Sequence, residues 1–333
     1  MSPPPLDRGR PTAEPGHCLA LSGGVGGAKL ALGLARVLAA DRLTVIANTG
    51  DDFEHLGLYV APDLDTVMYN LAGLANPDTG WGREGESWSF LGALEALGGE
   101  TWFRLGDRDL AVHVERTRRL AAGETLSEVT AALCGRLGVL PLIAPMSDQP
   151  VRTMVATPQG ELPFQHYFVR ERCEPEVVGF RFAGVESALP SEALAATLAD
   201  PELASIVVCP SNPFVSVDPI LAVPGVENAV RLSAAPVIAV SPIVAGAALK
   251  GPAAKMMREL RVPVTAIEVA RHYARRGLLD GFVLDAQDQA LRGEVEALGI
   301  AVLVADTVMV SLEDRERLAR EVLEWGSQLA HAT

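Results

Sequence analysis

Apolar residues in this chain fall into short unbroken runs, separated by stretches in which they recur at every third or fourth position. The run 19–21, Leu-Ala-Leu, leads through Ser22 into Gly23-Gly24-Val25-Gly26-Gly27. An Ala/Leu-rich stretch over 28–40 then carries apolar residues at helical spacing, and 43–47 is the next apolar run. Strand, glycine turn, helix and strand in that order predict a βαβ unit within the first sixty residues. Similar runs at 205–209, 236–240, 282–284 and 301–305 are separated by segments of helical pattern. Strands without polar alternation are those buried on both faces, as in a parallel sheet covered by helices. Residues 151–157 and 161–169 flank Pro158-Gln159-Gly160 and predict an antiparallel hairpin. Thr125 with Glu128 makes a capping box that opens a helix running to about Leu137.

The expected fold is α/β: a doubly wound, mostly parallel Rossmann-like sheet with a helical and β-hairpin insertion. The core is assigned to 17–70 and 186–330 and the insertion to 71–185. Residues 1–16, with five prolines and no apolar run, are expected to be a disordered leader.

Composition narrows the function classes. The chain has 333 residues, 49% hydrophobic and 21% charged, which suits a globular protein. Its net charge of −14 argues against a nucleic-acid partner, because a phosphate grip needs clustered Lys and Arg. No apolar run is long enough for a membrane span, so no membrane association is expected. Cys18, Cys134, Cys173 and Cys209 form no CxxC pair, and the six histidines show no HExxH, so reduced thiols in a cytoplasmic protein without structural zinc are expected.

Three segments carry candidate chemistry. Gly24 and Gly26 fit the first half of GxGxxG, but Lys29 stands where the third glycine belongs, and Ala28 breaks the Walker pattern. Gly23, Gly24, Gly26 and Gly27 still allow backbone N–H groups and a helix N-terminus to approach a phosphate, the alternative being a plain tight turn. Asp51 and Asp52, Asp63 and Asp65, and Asp107 and Asp109 around Arg108 are read at loop positions, where paired carboxylates can converge on Mg²⁺ or simply cap helices. Arg108 offers either a structural ion pair or a fork for a phosphate or planar ligand. Ser211 and Asn212, between Pro210 and Pro213, bring hydroxyl, amide and backbone donors to the end of a buried strand.

Taken in order, segments 21–29, 48–52, 62–66, 105–110, 145–148, 210–213 and 240–243 resemble the 2-phospho-L-lactate transferase family of coenzyme F-420 biosynthesis, and the resemblance covers about residues 18–325. It implies transfer of a phosphorylated three-carbon acid from its guanosine diphosphate conjugate to the deazaflavin Fo, with release of GMP and a requirement for Mg²⁺. It further implies that Asp65 and Arg108 contact the deazaflavin, that Asp51 and Asp65 lie near the metal, and that the glycine loop with Ser211 and Asn212 serves the nucleotide. Asp51 and Asp65 are thus the candidates for catalysis. Where the family commonly has LGDRDLATH, Val112 precedes His113 here, and where many members have histidine before Phe-Gln, this chain has Pro163. Pro163 is expected to move donor selectivity away from 2-phospholactate, towards phosphoenolpyruvate or 3-phosphoglycerate. A homodimer is the expected assembly. Two other classes remain open on the sequence: a related nucleotide-sugar-binding regulatory protein, which usually lacks the LGDRD segment, and a dinucleotide-dependent oxidoreductase.

Overall fold

The structure is a computed structural model that describes residues 16–248 and 251–331. The leader expected over 1–16 lies outside the described residues except for Gly16. The central sheet has seven parallel strands. Across the sheet they run Ala301–Ala305, Gly281–Asp285, Val237–Val240, Leu203–Val208, His17–Ser22 (β1), Leu43–Ala47 (β2) and Leu142–Pro145. Alternate residues of β1 feed opposite layers. Cys18 and Ala20 join a core with Leu30, Leu34, Leu318 and Val322, whereas Leu19 and Leu21 pack with Ile206, Ile220 and Tyr273. Helix α1 (Gly24–Val37), helix α2 (Pro62–Leu71) and the Leu312–Ala330 helix cover the first face. This two-sided burial is why the strands read as unbroken apolar runs.

Two local readings are corrected by the structure. Leu142–Pro145 pairs in parallel with β2, so the stretch 71–185 contributes the edge strand of the main sheet and is not wholly an insertion. Four residues ending in proline give a weak strand signal, and an edge position tolerates that proline. The hairpin is present as Arg152–Thr157 with Gly160–Pro163, and Gly179–Ala183 adds a third strand. Beyond Pro163 the chain leaves the sheet for a wide π-helical turn, His166–Arg170, instead of extending to 169. Phe164 and Tyr167, three apart, both bury into a small core with Val155 and Met256, which requires helical rather than alternating geometry. The Thr125–Glu128 capping box is formed and opens the Leu126–Arg136 helix.

The chain leaves β1 towards β2 on one side and later returns to Leu203–Val208 on the other. The strand order therefore reverses at β1. The loops following β1 and Leu203–Val208 part there, which is where open α/β sheets form their ligand crevice. No helix among the described residues is long and apolar enough to cross a membrane.

Candidate functional site

The crevice is occupied by a cavity of about 720 Å³ at the carboxyl ends of the strands. Its floor is made by the glycine loop. Gly24 adopts φ +64°, a left-handed conformation that favours glycine. A Cβ at Gly26 would fall 2.3 Å from the Pro210 carbonyl oxygen, so the two loops can touch only through glycine. The Gly23 N–H donates to Ser211 Oγ at 3.1 Å, and the Gly24 N–H donates to Asp63 Oδ1 at 2.7 Å. The N-cap residue Gly23 has no side chain to cap α1, Asp63 takes the Gly24 N–H, and Val25 and Gly26 in the first turn line the cavity. A helix N-terminus in that state favours an anion.

Among the described residues, two carboxylates reach this cavity, Asp51 and Asp63. Asn48, at the end of β2, donates through Nδ2 to Asp63 Oδ2 at 2.9 Å and accepts from the Gly50 N–H at 2.8 Å. Burial pushes Asp63 up to about 6 against the hydrogen bonds from Asn48 and Gly24. Asp51 is held well above the usual carboxylate range, first by burial and then by the neighbouring Asp63 charge. Its Oδ1 is buried without a hydrogen-bond partner among the described residues. Asp52, beside it in sequence, is not part of the lining; it accepts from Tyr59 Oη at 2.8 Å, and burial raises it to about 8.

These shifts set a pH dependence. A carboxyl group whose folded value is raised takes up protons that the unfolded chain does not bind, so its stabilising contribution is full below about 4 and is lost as pH rises through the folded value. With chelator present, Tm is expected to fall as pH rises from about 5 to 8, through the ranges of Asp63 and Asp52, and the fall should shrink in Asp51→Asn. Thermal melts across that range test this; a Tm that is flat or rising contradicts it.

The remaining expected residues fall elsewhere. Asp65 gives both carboxylate oxygens to the buried Arg116 guanidinium and does not line the cavity. It clusters with the part-buried Asp109 and the buried His113, whose Nδ1 lies 3.7 Å from Asp65 Oδ2 and whose Nε2 lies 3.3 Å from Asp109 Oδ2. A cation there would face the Arg116 charge at close range. Asp107 accepts from the Ser89 and Phe90 N–H groups, each at 3.1 Å, and so fixes the start of the Ser89–Ala96 helix. Arg108 is exposed, with Nη1 donating to the Glu84 carbonyl at 3.2 Å, outside the lining. Among the described residues, the arginine that does line the cavity is Arg104, its Cζ 4.4 Å from the Trp88 ring centroid.

Ser211 and Asn212 line the cavity, although the Asn212 side chain also accepts from the Phe214 N–H. Gly27 lies behind the lining, where a Cβ would collide with the hydroxyls of Ser211 and Ser22. Pro163 sits at a strand end opposite Met154, outside the lining but adjacent to Phe164 and Gln165, which belong to it.

Several lining residues gave no sequence signal. Trp81, Trp102, Phe103, Phe164 and Phe168 bring aromatic surface to the cavity from three separate segments of the chain. Trp102 meets His166 edge-on with centroids 5.1 Å apart, and Phe164 stacks on Phe168 at 5.5 Å. Thr307 to Val310 close another part, fixed by Asp285, which accepts from the Thr307 N–H at 2.9 Å and from its hydroxyl at 2.8 Å. Asn48 was visible only as part of a polar strand end. The lining thus combines aromatic surface for a planar ring with a helix N-terminus and an acidic pair suited to a cation-bound phosphate.

Comparison with known proteins finds relatives over nearly the whole chain. A family model described as 2-phospho-L-lactate transferase CofD matches residues 18–325. The phosphoenolpyruvate transferase of Streptomyces griseus is 42% identical, covering 93% of this chain and 98% of its own. That of Kitasatospora aureofaciens is 41% identical, covering 95% and 99%. In fold, a UPF0052-family crystal structure from Bacillus halodurans aligns with TM-score 0.60 at 15% identity, covering 94% of this chain and 100% of that one.

Proposed function

The chain belongs to the 2-phospho-L-lactate transferase CofD family, and from that membership we propose that it carries phosphoenolpyruvate from a guanosine diphosphate conjugate to Fo. The choice of acid is supported by near-full-length relatives that bear the name phosphoenolpyruvate transferase. In the reaction, the terminal ribityl hydroxyl of Fo attacks the phosphorus that bears the acid. A new O–P bond forms, the bridging P–O bond breaks to release GMP, and the hydroxyl proton is lost. The observation that carries this reading is that aromatic surface and the acidic, helix-capped strand ends line a single cavity, so a ring and a diphosphate can be held within reach of each other.

The residues fit Mg²⁺. Asp51 Oδ1 is a buried carboxylate oxygen without a partner, next to a second carboxylate, and hard oxygen donors of this kind suit that ion. On this reading Asp51 holds the metal with Asp63. Asp65, which the resemblance put in that role, has both oxygens on Arg116 and acts by fixing α2. When bound, Mg²⁺ supplies charge neutralisation at the diphosphate. The first turn of α1 and the Ser211-Asn212 loop hold the phosphates by N–H and hydroxyl donors, and they stabilise negative charge on the departing GMP. Arg104 takes the place expected of Arg108 as the cation beside the aromatic surface. Pro163 acts on donor choice through its neighbours Phe164 and Gln165.

Incubation with Fo, Mg²⁺ and each of the three guanosine diphosphate conjugates tests this. Release of GMP and a product heavier than Fo by an enolpyruvyl phosphate group are expected. A protein that binds the conjugates but releases no GMP would instead match the regulatory binding class.

A further inference from the structure

Gln165 is only 5% exposed, yet its side chain lines the cavity and makes no hydrogen bond to any described residue. A carboxamide carries two N–H donors and an acceptor oxygen, and buried groups of this kind are almost always satisfied. The Gln165 side chain does not cap the π-helical turn it precedes. Wide turns of this type are enriched at functional sites, and along the chain Gln165 lies between Phe164, which stacks on Phe168, and His166, which meets Trp102 edge-on. Its neighbours along the chain therefore carry aromatic contacts of the cavity wall.

Resting on the transferase reading, we propose that Gln165 reads the edge of the Fo ring at which an N–H lies beside a carbonyl. Nε2 donates to the ring carbonyl and Oε1 accepts from the ring N–H, while the aromatic surface receives the ring face. Guanine carries the same N–H and carbonyl pair, so the donor's base is the competing source of this chemistry. The contacts of its chain neighbours Phe164 and His166 with Phe168 and Trp102, in the same cavity lining, favour the acceptor.

The test is equilibrium binding to the full chain: Fo followed by its own fluorescence, and GDP by calorimetry. Gln165→Leu keeps the bulk and removes the hydrogen bonds. It should weaken Fo binding about 10- to 100-fold and change GDP affinity less than about twofold, with Tm unaltered. Fo methylated at the ring N–H should bind wild type as weakly as Fo binds the variant, and that arm needs no mutant to fold. Unchanged Fo affinity in Gln165→Leu, or tight binding of methylated Fo to wild type, overturns the proposal. Loss of GDP affinity with Fo unaffected also overturns it, by assigning Gln165 to guanine. Wild type that fails to bind Fo at all brings down the transferase reading and this proposal with it; wild type that binds Fo with the same affinity as Gln165→Leu brings down this proposal alone.

Discussion

Asp51→Asn is expected to reduce transfer by on the order of 10²–10³-fold while leaving the protein at least as stable as wild type. The substitution is isosteric and keeps the buried position. It removes one of two like charges that the fold holds together: Asp51 is raised first by burial and then by Asp63. Relieving that repulsion should stabilise the metal-free protein at neutral pH, because burying an uncompensated carboxylate is costly. The same change removes the buried oxygen that has no protein partner, so the Mg²⁺ requirement of any residual activity should move to higher concentration. GMP release at several Mg²⁺ concentrations, together with thermal melts, reads both effects. Activity within a few-fold of wild type would remove Asp51 from the chemistry, and a large loss of Tm would make its role structural.

Arg116→Met should have the largest effect on stability. Arg116 is 1% exposed and is the largest fully buried side chain among the described residues. It bonds both oxygens of Asp65 and donates from Nη1 to His113 Nδ1 at 3.2 Å. Removing it leaves the Asp65 carboxylate buried without a counter-charge, which typically costs about 3–5 kcal/mol. The double variant Arg116→Met with Asp65→Leu should recover most of that loss, since apolar replacement of a buried pair is often neutral. It should also retain activity within about tenfold, because Asp65 lies outside the cavity lining. Urea unfolding and GMP release measure the two quantities. A stable but inactive double variant would return Asp65 to the active site.

The different fates of Asp63 and Asp65 show where the sequence was readable. The Pro62-Asp63-Leu64-Asp65 segment looks like a loop presenting two carboxylates together. Pro62 is in fact the first residue of α2, and two residues along a helix turn through about 200°. Asp63 therefore faces Gly24 and the cavity, and Asp65 faces Arg116. The same geometry separates Arg108, exposed on the first turn of the Asp107–Ala121 helix, from Asp109, which accepts from Tyr69 Oη at 2.6 Å. Residue types and spacing identified the segments, but the side on which each carboxylate falls depends on a helix boundary.

The parallel sheet was legible because burial on both faces imposes unbroken apolar runs at β1, β2 and the later strands. The Leu142–Pro145 strand was not, because four residues at a sheet edge carry little of that pattern. The aromatic lining left no local trace. Trp81, Trp102 and Phe164 lie on separate segments that only the tertiary fold brings to one cavity.

Asp51 and Asp63, at the switch point of the sheet, are the residues proposed to hold the metal that serves the transferred phosphate. Anomalous diffraction from crystals grown with Mn²⁺, GMP and Fo locates that ion directly. A peak is expected about 2.1 Å from carboxylate oxygens of Asp51 and Asp63, beside the first turn of α1. A peak among Asp65, Asp109 and His113 would contradict it.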